Sequence, residues 1–121
     1  MFDHVEFSVR DLAAARRFYG GIVTAIGGAE AFSDADELGL SRDGIVALLL
    51  TRGTRVPPPM HICFQAPDKA AVDASYTAAL AAGGVCNGKP GYRPDYGDGY
   101  YAAFIRDADG HNIEVLFREG R

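Results

Sequence analysis

Cysteine is scarce in this sequence, basic charge is short, and long apolar runs are missing. Cys63 and Cys86 are the only two cysteines. A single possible pair does not make a disulfide scaffold, so reduced thiols are expected. Twelve Lys and Arg stand against sixteen Asp and Glu, for a formal net charge of -4. Such a balance gives no long-range attraction to phosphate backbones or anionic membranes, which weighs against nucleic-acid partners and leaves small neutral or cationic ligands open. No stretch approaches the roughly 20 apolar residues that span a bilayer, and no basic and apolar signal pattern follows Met1, so a cytoplasmic protein with no membrane partner is expected. What is present is the material of one core: 48% of the 121 residues are hydrophobic and 23% charged, enough for a single well-filled unit.

His4-Val-Glu-Phe-Ser-Val9 alternates, with Val5, Phe7 and Val9 on one face and His4, Glu6 and Ser8 on the other, the pattern of a strand with a polar front. Asp11 is a good N-cap for a helix in which Leu12, Ala15, Phe18 and Tyr19 recur at helical spacing; Gly20-Gly21 loosens it and Gly27-Gly28 ends it. Residues 29–34, 37–42 and 45–51 read as three strands between short Asp- and Gly-bearing turns. Pro57-Pro58-Pro59 marks an extended linker, and the pattern then restarts. His61 to Ala66 is a strand, Asp68 an N-cap, and Lys69 to Ala82 a helix stopped by Gly83-Gly84.

Residues 61–84 superpose on residues 4–27 without gaps. His61 falls on His4, Phe64 on Phe7, Asp68 on Asp11, Tyr76 on Tyr19 and Gly84 on Gly27. The ends of the halves also match, with Asp109-Gly110 on Asp43-Gly44 and Leu116 on Leu50. The chain is thus a duplication of a βαβββ unit too short to bury a core alone. The modules are residues 1–53 and 60–121, joined by the linker 54–59. The expected class is α+β: two tandem βαβββ modules whose mixed sheets form a cup, with helices on its outer face and polar fronts facing a cavity.

The last hairpin, residues 99–117, turns at Asp107-Ala108-Asp109-Gly110. Alternation sets Asn112, Glu114 and Leu116 on one face and Ile113, Val115 and Phe117 on the other. His4 and His61 are repeat equivalents on polar faces. Two imidazoles and the Glu114 carboxylate converging on a cavity can bind a divalent first-row metal and leave positions open for water or substrate. Leu48 stands where the first half would supply the counterpart of Glu114. Glu6 lies two residues from His4 on the same face, about 6.6 Å away at strand rise, and is either a base or a rim carboxylate held by an arginine. His111 has the opposite parity to Glu114 and stays outside the metal set.

Together these stretches resemble the vicinal oxygen chelate superfamily, which includes glyoxalase I, extradiol dioxygenases, fosfomycin-resistance thiol transferases and bleomycin-resistance proteins. The residues concerned are His4-Val-Glu-Phe-Ser-Val-Arg-Asp-Leu with Arg17-Phe-Tyr, His61-Ile-Cys-Phe, and Phe104-Ile-Arg-Asp-Ala-Asp-Gly-His-Asn-Ile-Glu114, with Ala108 where the family usually has proline. The resemblance implies paired βαβββ modules cupped around one divalent ion (Fe, Mn, Ni, Zn or Co) held by His4, His61 and Glu114. It also implies a homodimer with sites at or near the subunit interface and a small oxygenated substrate chelated through adjacent oxygens. The reaction would be of lyase, isomerase or dioxygenase type, with catalytic roles for Glu6 and Glu114. The alternative is a non-catalytic binding protein of the bleomycin-resistance type.

Several further residues fall around this site. Cys63 and Gln65 share the face of His61, and Tyr100 and Phe104 share that of Glu114. The Gly- and Pro-rich insert Asn87–Gly99 is either a lid or a passive loop. It carries Tyr96 and also Arg93, which binds a substrate carboxylate or pairs with Asp95 or Asp98. These six, Cys63, Gln65, Arg93, Tyr96, Tyr100 and Phe104, are the candidate substrate contacts.

Overall fold

The structure, a computed structural model, describes residues 1–121. Phe7 and Val9 are buried and Glu6 is exposed, so β1 (Val5–Val9) has the apolar back and polar front that its alternation requires. Asp11 accepts from the Ala14 N–H at 2.9 Å to cap α1 (Leu12–Ala25). Asp68 repeats the contact with the Ala71 N–H at 2.8 Å for α2 (Lys69–Ala81), each cap satisfying a donor that the first helical turn leaves free. Gly20-Gly21 does not interrupt α1. A Cβ on Gly21 would stand 3.2 Å from the Ala78 Cβ, so this glycine lets α1 approach α2.

The remaining strands are β2 (Ala29–Ser33), β3 (Glu37–Arg42), β4 (Ile45–Arg52), β5 (His61–Gln65), β6 (Val85–Tyr92), β7 (Tyr100–Arg106) and β8 (Asn112–Arg118). They form two four-stranded mixed sheets, ordered β1-β4-β3-β2 and β5-β8-β7-β6. In each, the first strand runs parallel to the last and the other pairs are antiparallel. These are the two tandem βαβββ modules of the α+β class. No helix is long and apolar enough to cross a membrane.

Three features differ from the sequence pattern. First, much of the insert is strand: β6 continues to Tyr92, and only Pro94–Tyr96 forms a 3-10 turn before β7. As an edge strand with register shifts between Cys86 and Gly88 and between Gly88 and Gly91, β6 accommodates Pro90, which a central strand would not.

Second, the two modules pack back to back. Phe7, Leu38 and Leu50 behind one sheet and Ala103, Ile105, Ile113 and Val115 behind the other belong to one core of 20 buried residues, with Phe18, Tyr19, Val72 and Ala79 from the helices. Tyr19 of α1 rests against Phe64 of β5, with ring centroids 6.4 Å apart. Its hydroxyl donates to the Asp107 carboxylate at 2.5 Å, and Arg10 pairs with Asp109 at 2.8 Å. Within one chain, therefore, the polar fronts look away from each other.

Third, β4 is out of phase with β8. Leu40 pairs with Leu48 but Ser41 pairs with Val46, so Ala47 is an extra residue bulged out of the ladder, and side chains beyond it shift face. Glu6 pairs with Leu49, whereas its repeat equivalent Cys63 pairs with Glu114. Leu49, not Leu48, is therefore the counterpart of Glu114. Leu48 is buried on the back with Leu50.

Candidate functional site

The front of the second sheet is assembled by register. His61, Cys63 and Gln65 on β5 face Asn112, Glu114 and Leu116 on β8. On the other flank, Tyr100, Ala102 and Phe104 of β7 face Arg118, Leu116 and Glu114. The central acid is nearly sealed, with Glu114 only 3% exposed. The carboxylate has a partner on each oxygen: His61 Nε2 lies 2.9 Å from Oε1, and the Tyr100 hydroxyl donates to Oε2. Both contacts are charge-assisted and keep the buried carboxylate satisfied.

The tyrosine is itself held on two sides. Tyr96 packs on it edge-on, with centroids 5.3 Å apart at 70°, and the Arg118 guanidinium lies 5.1 Å from its ring centroid. Loss of solvent around Tyr100 and the hydrogen bond to Glu114 raise its hydroxyl pKa, and Arg118 opposes them. The Cys63 thiol is pushed up to about 12, first by desolvation, then by the Glu114 charge and hydrogen bond, with Arg118 again acting the other way. A thiol so disfavoured as thiolate is no nucleophile at neutral pH.

The expected site residues divide between the two modules. His61, Cys63, Gln65, Tyr100, Phe104 and Glu114 share one front, with Tyr96 against Tyr100 and Arg93 over Phe104 at 5.5 Å. Glu6 lies exposed on the other front. His4 precedes β1, and its Nδ1 contacts the Asp3 carboxylate at 2.7 Å. No set of three His, Cys, Asp or Glu side chains converges within the chain, so His4 does not reach His61 and Glu114. Arg118 was not singled out from sequence, although extending the Asn112, Glu114, Leu116 alternation by two residues places it on this front. His111 is fully buried, accepting from the Met60 N–H at 2.9 Å and packing edge-on against Phe7. A cavity of about 250 Å³ lies at the seam between the modules, lined by Val23, Ile26, Leu48 and Phe64 and also by His4, Cys63 and Gln65 of the expected site.

Residues 1–115 match the family model described as Glyoxalase/Bleomycin resistance protein/Dioxygenase superfamily. The chain belongs to this superfamily. Solved structures of the glyoxalase superfamily share its fold. A glyoxalase/bleomycin resistance protein from Albidiferax ferrireducens T118 is 27% identical with a TM-score of 0.81, over 98% of this chain and 99% of that one. Lactoylglutathione lyase from Agrobacterium tumefaciens is 23% identical with a TM-score of 0.66, over 97% and 92%. The fosfomycin resistance protein FosX from Mesorhizobium loti is 21% identical with a TM-score of 0.69, over 97% and 91%. None of the curated proteins compared matches the sequence.

In this glyoxalase-superfamily chain the His61–Glu114 pair suits a divalent ion. Two donors bound at about 2.1 Å and at right angles on one ion stand about 3 Å apart, close to the 2.9 Å between His61 Nε2 and Glu114 Oε1. These two residues can fill two adjacent coordination positions, and one chain offers no third.

Proposed function

We propose that this chain is one subunit of a homodimeric, metal-dependent enzyme in which His61 and Glu114 of one chain and His4 of a second hold one divalent ion. The observation that carries this reading is the buried Glu114 carboxylate with one oxygen fixed by Tyr100 and the other at ligand spacing from His61. A solvated surface acid would not be sealed in this way. The back-to-back modules support the dimeric reading: each chain presents two outward fronts, and β1 and β5 are edge strands, so a second copy can set the front carrying Glu6 against the front carrying Glu114.

When bound, such an ion polarises two adjacent oxygens of a small substrate and stabilises the negative charge that develops on them. The chain's own residues orient it: Tyr100 fixes the Glu114 carboxylate, while Phe104 and Leu116 keep the floor apolar. Glu6, exposed on the facing front, is then the candidate base. The lyase activity named for the lactoylglutathione lyase relative supports a lyase- or isomerase-type reaction, with dioxygenation the other class open to a three-ligand site.

Metal content and size of protein purified without chelator test the proposal. Wild type is expected to be dimeric and to hold about one ion per chain, and His4→Ala and Glu114→Ala to lose it. Mixing the two variants tests whether sites are shared, because a heterodimer then carries one doubly damaged site and one intact site. About a quarter of the metal sites should return in an equal mixture. Equal trace metal in wild type and both variants would leave the non-catalytic binding protein as the reading.

A further inference from the structure

The sequence left Arg93 with two fates, and the structure removes one: neither Asp95 nor Asp98 pairs with it, and its hydrogen bonds go to backbone carbonyls. Nη2 donates to Lys89 O at 2.7 Å and Nη1, at 3.5 Å, to Tyr92 O. A guanidinium has five donors, so most of its fork is unspent.

Its position is built in by the irregular edge strand. The two register shifts of β6 fall around Gly88 and Gly91, and both glycines lie under the guanidinium. A Cβ on Gly88 would approach Nη2 to 3.2 Å, and one on Gly91 would approach Nη1 to 3.1 Å. Two glycines, two backbone carbonyls and the Phe104 ring, whose centroid is 5.5 Å from Cζ, therefore cradle this arginine. Phe104 in turn pairs with Glu114 and lies 6.2 Å from the His61 ring. One aromatic ring thus separates a preorganised cation from the proposed metal ligands.

We infer that Arg93 is a clamp for a carboxylate on the substrate, so that the molecules accepted carry an anionic arm beside their two chelating oxygens. This rests on the metal site proposed above. The chain is acidic overall, but this front is not. Arg118 also shares it, stacked on Tyr100 without a carboxylate partner, and Glu114 is already satisfied. The guanidinium fork matches the two oxygens of a carboxylate. The neighbours Ala102 and Phe104 add no donors for the third oxygen of a phosphonate.

Two 2-oxo acids of equal chain length isolate the clamp: 2-oxoglutarate and 2-oxopentanoate chelate alike and differ in the distal carboxylate. Dissociation constants are measured calorimetrically on the Mn²⁺-loaded and the chelator-treated dimer, for wild type, Arg93→Gln and Arg93→Lys. Circular dichroism checks that the variants fold. In wild type the dicarboxylate should bind about tenfold or more tighter. Arg93→Gln should abolish the preference, and Arg93→Lys, which keeps the charge without the fork, should retain part of it. Equal binding of the two acids by a metal-loaded wild type, or a preference that survives Arg93→Gln, overturns the clamp and leaves the metal site standing. A protein that binds no Mn²⁺ but keeps an Arg93-dependent preference overturns the metal site and leaves the clamp. Neither metal nor preference overturns both.

Discussion

Replacing Tyr100 with Phe removes one hydroxyl and little else. The phenyl ring can keep its edge contact with Tyr96 and its place under Arg118, so the change isolates the bond to Glu114 Oε2. Glu114 is 3% exposed, so water is poorly placed to replace the lost donor. A hydrogen bond to a charged group contributes about 1.5–3 kcal/mol, and a buried acceptor left unpaired costs a similar amount. The expected destabilisation is therefore about 2 kcal/mol. Thermal unfolding of chelator-treated protein would read this as a fall in Tm of about 8 °C, at about 4 °C per kcal/mol for a domain of this size. The cycle of Tyr100→Phe, Glu114→Gln and the double variant separates this bond from general damage and should give a coupling above about 1 kcal/mol. Coupling below about 0.5 kcal/mol would refute the argument, because the hydroxyl would then be acting independently of the carboxylate. On the metal-binding reading, the same variant should weaken Mn²⁺ affinity about 10–100-fold, as loss of a group orienting a ligand usually does.

Alkylation should separate the two cysteines. Cys63 is raised to about 12 beside Glu114, so its reaction with iodoacetamide should be slow at pH 7 and climb about tenfold per pH unit up to pH 10. The pKa of exposed Cys86 is lowered by hydrogen bonds from Tyr76 and the Gly88 backbone, so it should be labelled first and level off earlier; mass spectrometry showing Cys63 modified first at pH 8 would contradict this. Tyr19→Phe should cost about 1.5–3 kcal/mol in urea denaturation, since the buried Tyr19 donates to Asp107 across the seam between modules. An unchanged midpoint would show that the seam does not depend on that bond.

Local signals and the internal duplication were legible in the sequence, and the way the two modules pack on each other was not. Both N-caps, the alternation of β1 and β8 and the turn before Glu114 could be read because each depends on a few consecutive residues. The back-to-back packing could not. An apolar back and polar front are required whether the fronts meet or diverge, and the deciding contacts, Tyr19 with Phe64 and Asp107, join residues far apart in the chain. The phase of β4 was hidden for a different reason. Ile45-Val-Ala-Leu-Leu-Leu50 is wholly apolar, and period two is invisible without a polar residue to mark it. Asn112 and Glu114 supply that mark on β8. The seat of Arg93 depends on the bulged course of β6, which its Gly and Pro content suggested only as a loop.

The bulge at Ala47 also changes what a duplicated half can become. A single inserted residue turned the downstream strand over, so a column-by-column comparison of the two copies assigns the lost carboxylate to residue 48, which sits in the core. A substitution of Leu48 by Glu would bury an unpaired charge there, whereas the same change at Leu49 would put an acid on the open front beside Glu6. For engineering, and for tracing how the copies diverged, the position that can return the first half to acidic duty is residue 49.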